Sequence, residues 1–221
     1  MYYRFIEIGT SDFGNIPDNQ YLRDFDFGIC VEPIFEYLNN VTKRPNINYV
    51  CAAIGDTDGT CEIQFIPPDR YYDDDAPAIP WILRGSNSAE PNGHYLLKSH
   101  YNMPPSTEGE NFVEGYDYGS KAIRRTVPQI SVKTFVEMYN IEGCEVLKLD
   151  CENMDRMIVK EFIKIWNSGE MDKPSFLQYE DVSHDQDLVH ELIDAGFRLV
   201  TYNELNYIFT TNRWDETWGK Q

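Results

Sequence analysis

Short apolar runs alternate along the chain with segments in which apolar residues recur every three or four positions. The runs predict β-strands at residues 3–9, 27–33, 47–55, 144–150, 174–180, 197–202 and 205–210, with 61–66 as an additional strand. Strands that alternate with helical segments are typical of an α/β fold, in which helices cover both faces of a mostly parallel sheet. Only Asn203 and Glu204 separate the last two runs, which predicts an antiparallel pair.

Three of the periodic segments predict helices. Residues 154–166 carry an apolar side chain at every third or fourth position, so one face of this helix is expected to pack on the sheet. Ser131 is expected to cap an earlier helix, because a serine side chain accepts a hydrogen bond from a free N–H group of the first turn. Ser183 is expected to cap a later helix, and Gly196 to end it.

Residues 67–128 interrupt this pattern. The segment holds eight of the twelve prolines, an acidic run at 73–75, Trp81 and six tyrosines. It is much longer than the roughly 12 to 15 residues usual for a connection without secondary structure. We therefore expect a single domain over residues 1–221, with an insertion at about 67–128 that recognises the substrate.

The charge and cysteine content restrict the partners and the location. With 19 Lys and Arg against 37 Asp and Glu, the formal charge is −18 at pH 7, which argues against binding to nucleic acids or anionic membranes. No run approaches the roughly 18 to 20 apolar residues that cross a bilayer, and the N-terminal sequence is not typical of a signal peptide. The five cysteines lack a CxxC pair and are expected to be buried, reduced thiols of a cytoplasmic protein. The oligomeric state stays open.

The first predicted strand ends in the sequence FIEIGTSDFG. A strand followed by Gly9, with Gly14 five residues later, is how α/β folds turn the backbone tightly at the carboxyl edge of the sheet and let a ligand approach. The second strand ends at Glu32, 23 residues after Gly9, and the two oxygens of a carboxylate match the vicinal hydroxyls of a ribose. This edge is expected to bind a nucleoside.

Two classes of cofactor, NAD and S-adenosylmethionine, fit such an edge. Ser11 stands where the dinucleotide fingerprint has its middle glycine, and the loop carries Glu7 and Asp12 with no basic residue between Arg4 and Arg23. Acidic groups repel a diphosphate, whereas they favour the sulfonium and ammonium cations of S-adenosylmethionine. S-Adenosylmethionine is therefore the expected cofactor, and an NAD-dependent oxidoreductase is disfavoured.

The chain resembles the FkbM-type S-adenosylmethionine-dependent methyltransferases, whose common motifs are DVGANIG, an EP dipeptide, AxGD and KIDVEGxE. The matching stretches are FIEIGTSDFG at 5–14, VEP at 31–33, AAIGDTDG at 52–59, VPQISVKTF at 127–135, VLKLDCENMD at 146–155 and FLQYE at 176–180. The resemblance implies a Rossmann-like class I methyltransferase fold with a seven-stranded sheet. It also implies O-methylation of hydroxyls in sugars or natural products.

The resemblance further implies roles for individual positions. It places Glu7, Gly9 and Ser11 beside the methionine part of the cofactor, Glu32 on the ribose, Ala52, Ala53 and Asp56 around the adenine, and Asp150 near the reacting end. The first motif is one residue longer than in the family and begins with Glu7, and in the last motif Asn153 replaces a glycine and Asp155 replaces the final glutamate. The changes at Asn153 and Asp155 leave an alternative open, a non-catalytic or regulatory nucleoside-binding module of a larger assembly.

Methyl transfer to a hydroxyl requires a group that takes the acceptor's proton. The candidate bases are His94, His100, Asp150, Glu152, Glu180 and His184. Asp150 and Glu152 rank first, because they end the fourth main strand, where open α/β sheets keep their sites. His94 and His184 follow, since histidine titrates near neutral pH. The acidic run at 73–75 lacks a metal-loop spacing, so no metal is expected.

These observations together predict an S-adenosylmethionine-dependent O-methyltransferase. Its expected acceptor is a hydroxyl of a sugar, a glycan or a natural-product-like small molecule. The Tyr- and Trp-rich segment at 67–128 agrees with a neutral polyhydroxy acceptor, because aromatic faces stack on the C–H surfaces of sugars.

Overall fold

The structure is a computed structural model that describes residues 1–11, 16, 26–72, 87–88, 118–151, 154–181, 183–203 and 206–211. Its strands are β1 (Tyr2–Ile8), β2 (Gly28–Val31), β3 (Ile47–Val50), β4 (Ala53–Gly55), β5 (Gly59–Phe65), β6 (Asn87–Ser88), β7 (Ile123–Ser131), β8 (Gly143–Leu149), β9 (Phe176–Glu180), β10 (Arg198–Asn203) and β11 (Asn206–Thr210). Its α-helices are α1 (Phe35–Asn40), α2 (Val132–Met138), α3 (Asp155–Ser168) and α4 (Gln186–Asp194).

The larger of two sheets has seven strands in the order β3-β2-β1-β8-β9-β11-β10. Strands β3, β2, β1, β8 and β9 run parallel to one another, and β11 is antiparallel to both β9 and β10. The predicted mostly parallel sheet with an antiparallel C-terminal pair is confirmed. Strand β2 is buried at all four positions, which is why its sequence is a continuous apolar run rather than an alternation.

The smaller sheet has the strand order β4-β7-β5-β6. Strand β5 pairs antiparallel with β7 along its whole length, so the additional strand predicted near 61–66 belongs to this second sheet. Buried Ile34 and Tyr37 connect the sheet to α1, and the Tyr37 hydroxyl donates to the carbonyl oxygen of Ile66 over 2.7 Å. The chain enters the smaller sheet after β3 and returns to the larger sheet at β8.

Two predicted boundaries are wrong. Residues 47–55 form two strands, β3 and β4, which pair in different sheets. Ala52 lies buried between them, so the apolar pattern continues through the break and gives no sign of it. The sequence analysis also missed β7, whose first six residues fall in the 67–128 segment. Two adjacent arginines, Arg124 and Arg125, interrupt the alternation of apolar and polar residues that would predict a strand.

Helices α2, α3 and α4 cover one face of the larger sheet. Their apolar side chains join those of the strands in one core, in which Phe135 of α2, Phe162 of α3 and Leu192 of α4 are fully buried. The other face carries a smaller cluster of Phe5 and neighbouring side chains, which Ile16 contacts. The residues on either side of Ile16 lie outside the described ranges, so the expected helices on both faces are confirmed for one face.

The two predicted helix caps differ in outcome. Ser131 caps α2 as expected, because its hydroxyl accepts from the backbone N–H of Thr134 over 3.1 Å. Ser183 does not cap α4. Asp185 does so, and its carboxylate accepts from the N–H groups of Asp187 at 3.0 Å and Leu188 at 3.2 Å. Ser183 and Asp185 can both act as helix caps by residue type, and only the folded conformation of the turn shows which one does so.

The cap predicts a stability difference between two neighbouring variants. Asp185→Ala is expected to lose about 1–2 kcal/mol of the free energy of unfolding, because two N–H groups of the first turn lose their acceptor. The hydrogen bond from Arg156 holds the pKa of Asp185 down to about 2, so this contribution is lost only as the pH falls through that value. Urea unfolding at pH 7 measures the loss, with Ser183→Ala as the control. An equal or larger loss for Ser183→Ala would contradict the assignment.

All five cysteines are free thiols. Cys30 and Cys144 are buried as expected, and Cys61 and Cys151 are partly buried. Cys51 is exposed, so the expectation of burial is wrong there; it directly follows the last residue of β3, where the chain leaves the sheet. None of the described helices has the length and apolar character needed to cross a membrane.

Candidate functional site

The parallel strands of the larger sheet end at one edge, which we call the carboxyl edge. Strand β1 lies between β2 and β8. From β1, the chain adds β2 and β3 on one side and later adds β8 and β9 on the other side, so the direction in which strands are added reverses at β1. Open α/β sheets bind ligands in the crevice at such a reversal, because the following loops diverge there. The residues that follow β1, β2 and β8 therefore define the candidate site.

Gly9 fixes the geometry of this crevice. Its φ is +82°, and a Cβ atom at this position would lie 2.0 Å from the carbonyl oxygen of Asp150. The backbone bonds alongside are regular, since Gly9 N–H donates to Val31 O over 2.9 Å and Asp150 N–H donates to Ile8 O over 3.0 Å. Gly9 is thus required both by its left-handed conformation and by the close approach of two strand ends.

Glu32 is fully buried immediately after β2. Its Oε2 accepts from the backbone N–H of Ser11 over 3.0 Å, and its Oε1 accepts from that of Ile34 over 2.9 Å. Glu32 therefore ties the loop after β1 to the loop after β2.

A small apolar cavity adjoins Gly9. Its lining includes Ala52 and Ala53, the two alanines predicted beside the adenine, together with Pro33 and Met154. The cavity has a volume of about 30 Å³, which is room for one or two water molecules. A planar base would enter by displacing lining side chains, of which the unbranched Met154 adapts most easily.

Two hydroxyl groups at the end of β1 have no partner. Thr10 Oγ1 and Ser11 Oγ are buried and make no hydrogen bond within the described part of the chain. Ser11 also adopts a φ of +56°, which is uncommon for a residue other than glycine. Unsatisfied buried polar groups and strained backbone are both concentrated at functional sites.

Glu7 lies in the same region but is already paired. Its Oε1 accepts from Lys148 Nζ over 2.9 Å, and its Oε2 accepts from the Ile16 N–H over 3.0 Å. Burial raises the pKa of Glu7 above its ordinary value, although the charge of Lys148 opposes this shift. Lys148 also lies 3.7 Å from Asp150. The edge is therefore less negative than the sequence predicted, because β8 supplies a cation.

Three carboxyl groups near Gly9 interact electrostatically, and we call them the acid cluster: Asp150, Asp155 and Glu180. Asp155 is fully buried, and burial together with the charge of Asp150 raises its pKa to about 8. Burial and Asp150 likewise raise the pKa of Glu180 to about 7. Burial raises the pKa of Asp150 as well, against the opposing effect of Lys148. Protonated carboxyls near neutral pH are typical of sites that transfer protons.

Comparison with known sequences identifies the family. The profile of the methyltransferase FkbM domain matches residues 21–199, which is most of the chain. The chain belongs to the FkbM methyltransferase family. No curated protein and no solved structure gives a significant match. The resemblance inferred from the sequence motifs is confirmed.

As a member of this family, the chain brings most of the predicted cofactor residues to one edge. Glu7, Gly9, Ser11, Glu32, Ala52, Ala53 and Asp150 all lie at or next to the ends of β1, β2, β3 and β8. Asp56 is exposed in the turn after β4, where its carboxylate accepts from the hydroxyl of Thr57. Their roles toward a cofactor remain predictions.

The predicted catalytic residues are distributed differently. His94 and Glu152 lie outside the described residues. His184 adopts a φ of +55°, and its Nδ1 lies 3.3 Å from the hydroxyl of Tyr202 and 3.4 Å from that of Tyr207. We call these three side chains the aromatic group: His184, Tyr202 and Tyr207. His184 follows β9 and the two tyrosines belong to the hairpin of β10 and β11, so the aromatic group lies at the carboxyl edge beyond the acid cluster.

Sequence reasoning missed Lys148 and Asp58. Lys148 was visible as a lysine in the apolar stretch VLKLD, an unusual position for an unpaired charge, and as the first residue of the stretch that matches KIDVEGxE. Asp58, in the turn after β4, accepts from Ser131 N–H and from the Thr134 hydroxyl, both over 2.7 Å. These hydrogen bonds lower the pKa of Asp58, which braces the start of α2.

Proposed function

We propose that the chain transfers the methyl group of S-adenosylmethionine to a hydroxyl oxygen of a sugar, glycan or natural-product-like small molecule. The observation that carries this proposal is the crevice between the ends of β1 and β2, where Gly9 allows the close approach of the β1 and β8 ends and buried Glu32 joins the loops after β1 and β2. In the order of the strands along the chain, the larger sheet reads 3-2-1-4-5-7-6. We assign it to the Rossmann-like class I methyltransferase fold.

The residues of the crevice fit an adenosyl group. Glu32 would accept from the ribose hydroxyls, and the apolar side chains around Ala52 and Ala53 would contact the adenine. The unpartnered hydroxyls of Thr10 and Ser11 would form hydrogen bonds to the amino-acid part. When bound, the cofactor supplies an electrophilic methyl group next to the ends of β1 and β8.

The chain's own residues would orient the acceptor and take its proton. An aliphatic hydroxyl is a weak nucleophile until a base accepts its proton, and alignment with the methyl carbon lowers the barrier further. The acid cluster provides carboxyl groups at this edge, and the aromatic group of His184, Tyr202 and Tyr207 provides flat surfaces beside them. Such surfaces suit a sugar ring.

The electrostatics support a small neutral acceptor. A formal charge of −18 opposes association with nucleic acid or an anionic membrane surface. Five free thiols agree with a reducing, cytoplasmic location. No metal is proposed, since the described residues contain no group of three or more His, Cys, Asp or Glu arranged to hold one.

Calorimetry with S-adenosylmethionine, S-adenosylhomocysteine and NAD tests the cofactor. We expect binding of the first two and none of NAD. Incorporation of labelled methyl into a panel of glycans and polyketide-like alcohols then tests the reaction. Binding without transfer to any acceptor would favour the non-catalytic module, and transfer only to protein or nucleic acid would reject the proposed acceptor class.

Glu32→Gln tests the crevice directly. The amide retains one acceptor oxygen but presents an N–H group toward a backbone donor, so we expect at least a tenfold weaker affinity for S-adenosylhomocysteine and a loss of about 1–3 kcal/mol in stability. Binding is measured by calorimetry at a temperature where circular dichroism shows both proteins folded. Glu62→Gln, at an exposed glutamate on the second sheet, is the control and should bind normally. Unchanged affinity in Glu32→Gln would remove Glu32 from the site.

A further inference from the structure

We propose that Glu180 is the base that takes the acceptor's proton, and that the acid cluster holds a proton until a cationic methyl donor binds at the carboxyl edge. The proposal rests on the proposed function and names the group that performs its proton transfer. Its consequence is that binding of the donor increases the ionised fraction of the base.

The strand register places Glu180 beside Asp150. Lys148 of β8 pairs with Gln178 of β9, so the positions two residues further on, Asp150 and Glu180, are neighbours at the carboxyl edge. Side chains at matched positions of parallel strands point to the same face of the sheet. Glu180 is partly exposed and accepts no hydrogen bond within the described part of the chain. Its carboxylate is therefore available to a ligand.

Asp155 is the third member of the acid cluster. It is the first residue of α3 and fully buried, and its Oδ2 accepts from the N–H of Cys151 over 2.9 Å. Its Oδ1 is buried and has no hydrogen-bond partner among the described residues. Burial disfavours the charged form of a carboxyl group, and an oxygen without a hydrogen-bond donor does not offset that cost. The protonated form of Asp155 is therefore favoured.

Among the described residues, the charges around the cluster are unbalanced. Besides the three carboxyls, the described ionisable groups that face it are Lys148, Glu7, Glu32 and the thiol of Cys151. Lys148 is the one cation among them, and its ammonium already pairs with Glu7 and Asp150. Burial raises the pKa of the Cys151 thiol, so it stays neutral and adds no negative charge. An excess of acidic groups keeps a proton on the cluster near neutral pH, in agreement with the pKa values of about 7 for Glu180 and about 8 for Asp155.

A positive charge that binds nearby lowers the pKa of these carboxyls and releases the shared proton. Glu180 is then ionised and can accept a proton from the acceptor. In the transfer, the acceptor oxygen forms a bond to the methyl carbon and the carbon–sulfur bond breaks, with its electron pair remaining on sulfur. The hydroxyl proton passes to the Glu180 carboxylate. The neutral thioether that remains no longer favours ionisation, and the cluster stays protonated until the next donor binds.

Proton release on binding tests this without an identified acceptor. Binding of S-adenosylmethionine and of S-adenosylhomocysteine is measured by calorimetry at pH 7 in two buffers of different ionisation enthalpy, which gives the protons released per ligand. The two ligands differ only in the sulfonium methyl group. We expect release of about half a proton to one proton with S-adenosylmethionine and little with S-adenosylhomocysteine.

Variants show which carboxyl releases the proton when S-adenosylmethionine binds. Glu180→Gln should bind both ligands and lose a large part of the release, whereas Glu137→Gln, at an exposed glutamate on α2, should release protons as the wild type does. Asp155→Asn retains an acceptor for the Cys151 N–H and should shift the release to lower pH. Equal release with both ligands, or full release in Glu180→Gln, would overturn the proposal.

Carboxyl titration by 13C NMR gives an independent measurement in the free protein. The signal that disappears in Glu180→Gln should titrate near pH 7, and the addition of S-adenosylmethionine should move its midpoint down. A Glu180 signal with an ordinary midpoint would refute the proposal even if neither ligand binds. Absence of binding by both ligands, with the neutral midpoint present, would instead refute the proposed function.

Discussion

A Gly9→Ala variant is expected to lose about 3–5 kcal/mol of the free energy of unfolding, or to fail to fold. The added methyl group would lie 2.0 Å from the carbonyl oxygen and 2.7 Å from the carbonyl carbon of Asp150. Both are backbone atoms held by the hydrogen bond from Asp150 N–H to Ile8 O, so they cannot move without separating β1 from β8. Urea unfolding followed by circular dichroism measures the loss.

Gly169→Ala is the matched control for Gly9→Ala. Gly169 has a φ of +78°, close to the +82° of Gly9, and a Cβ atom there would meet nothing within 4 Å. Its substitution should cost only the conformational penalty of a left-handed alanine, about 1–2 kcal/mol. The difference between the two variants isolates the steric contact of Gly9 with Asp150. Equal losses would show that the contact is absent.

Lys148→Met is expected to destabilise the protein by about 3–5 kcal/mol at pH 8, because it leaves the buried carboxylate of Glu7 without a cation. Lys148 now opposes the burial that raises the pKa of Glu7, so its removal raises that pKa further. A raised pKa in the folded state means that folding is favoured by protonation. The deficit of Lys148→Met should therefore shrink as the pH falls from 8 to 5, as measured by urea unfolding at each pH.

The double variant Lys148→Met/Glu7→Gln separates the pair from its surroundings. Glutamine still accepts from the Ile16 N–H and carries no charge to bury, so most of the lost stability should return. Its unfolding free energy should also lack the pH dependence of the single variant. A double variant that is as unstable as Lys148→Met would mean that lost packing, and not the unpaired charge, is the cause.

Local signals predicted the glycine and the acids at strand ends. The carboxyl end of a strand is recognisable because an apolar run stops there, and residues such as Gly9, Glu32 and Asp150 follow at once. The cap at Ser131 was predictable for the same reason, since its hydrogen bond spans only three residues. The break after β3 was not, because both sides of it are buried and the apolar run is uninterrupted.

The ionisation state of the site depended on contacts that are distant in sequence. Glu7 and Lys148 are 141 residues apart and pair only because β1 and β8 are neighbours in the sheet. The pKa of Glu180 is raised first by burial and then by the charge of Asp150, which follows the adjacent strand. A count of acidic residues in one loop could not include a lysine from another strand, so the predicted acidic edge was more negative than the folded one.

The sequence by itself determined the α/β class and the family, and it predicted residues that the fold brings to one edge of the sheet. These follow from periodicity and short motifs, which depend on residues within one element. The tertiary structure alone decided which strands share a sheet, which charges form pairs and which carboxyls have a raised pKa. Those properties depend on burial and on distances between elements, and a linear pattern contains neither.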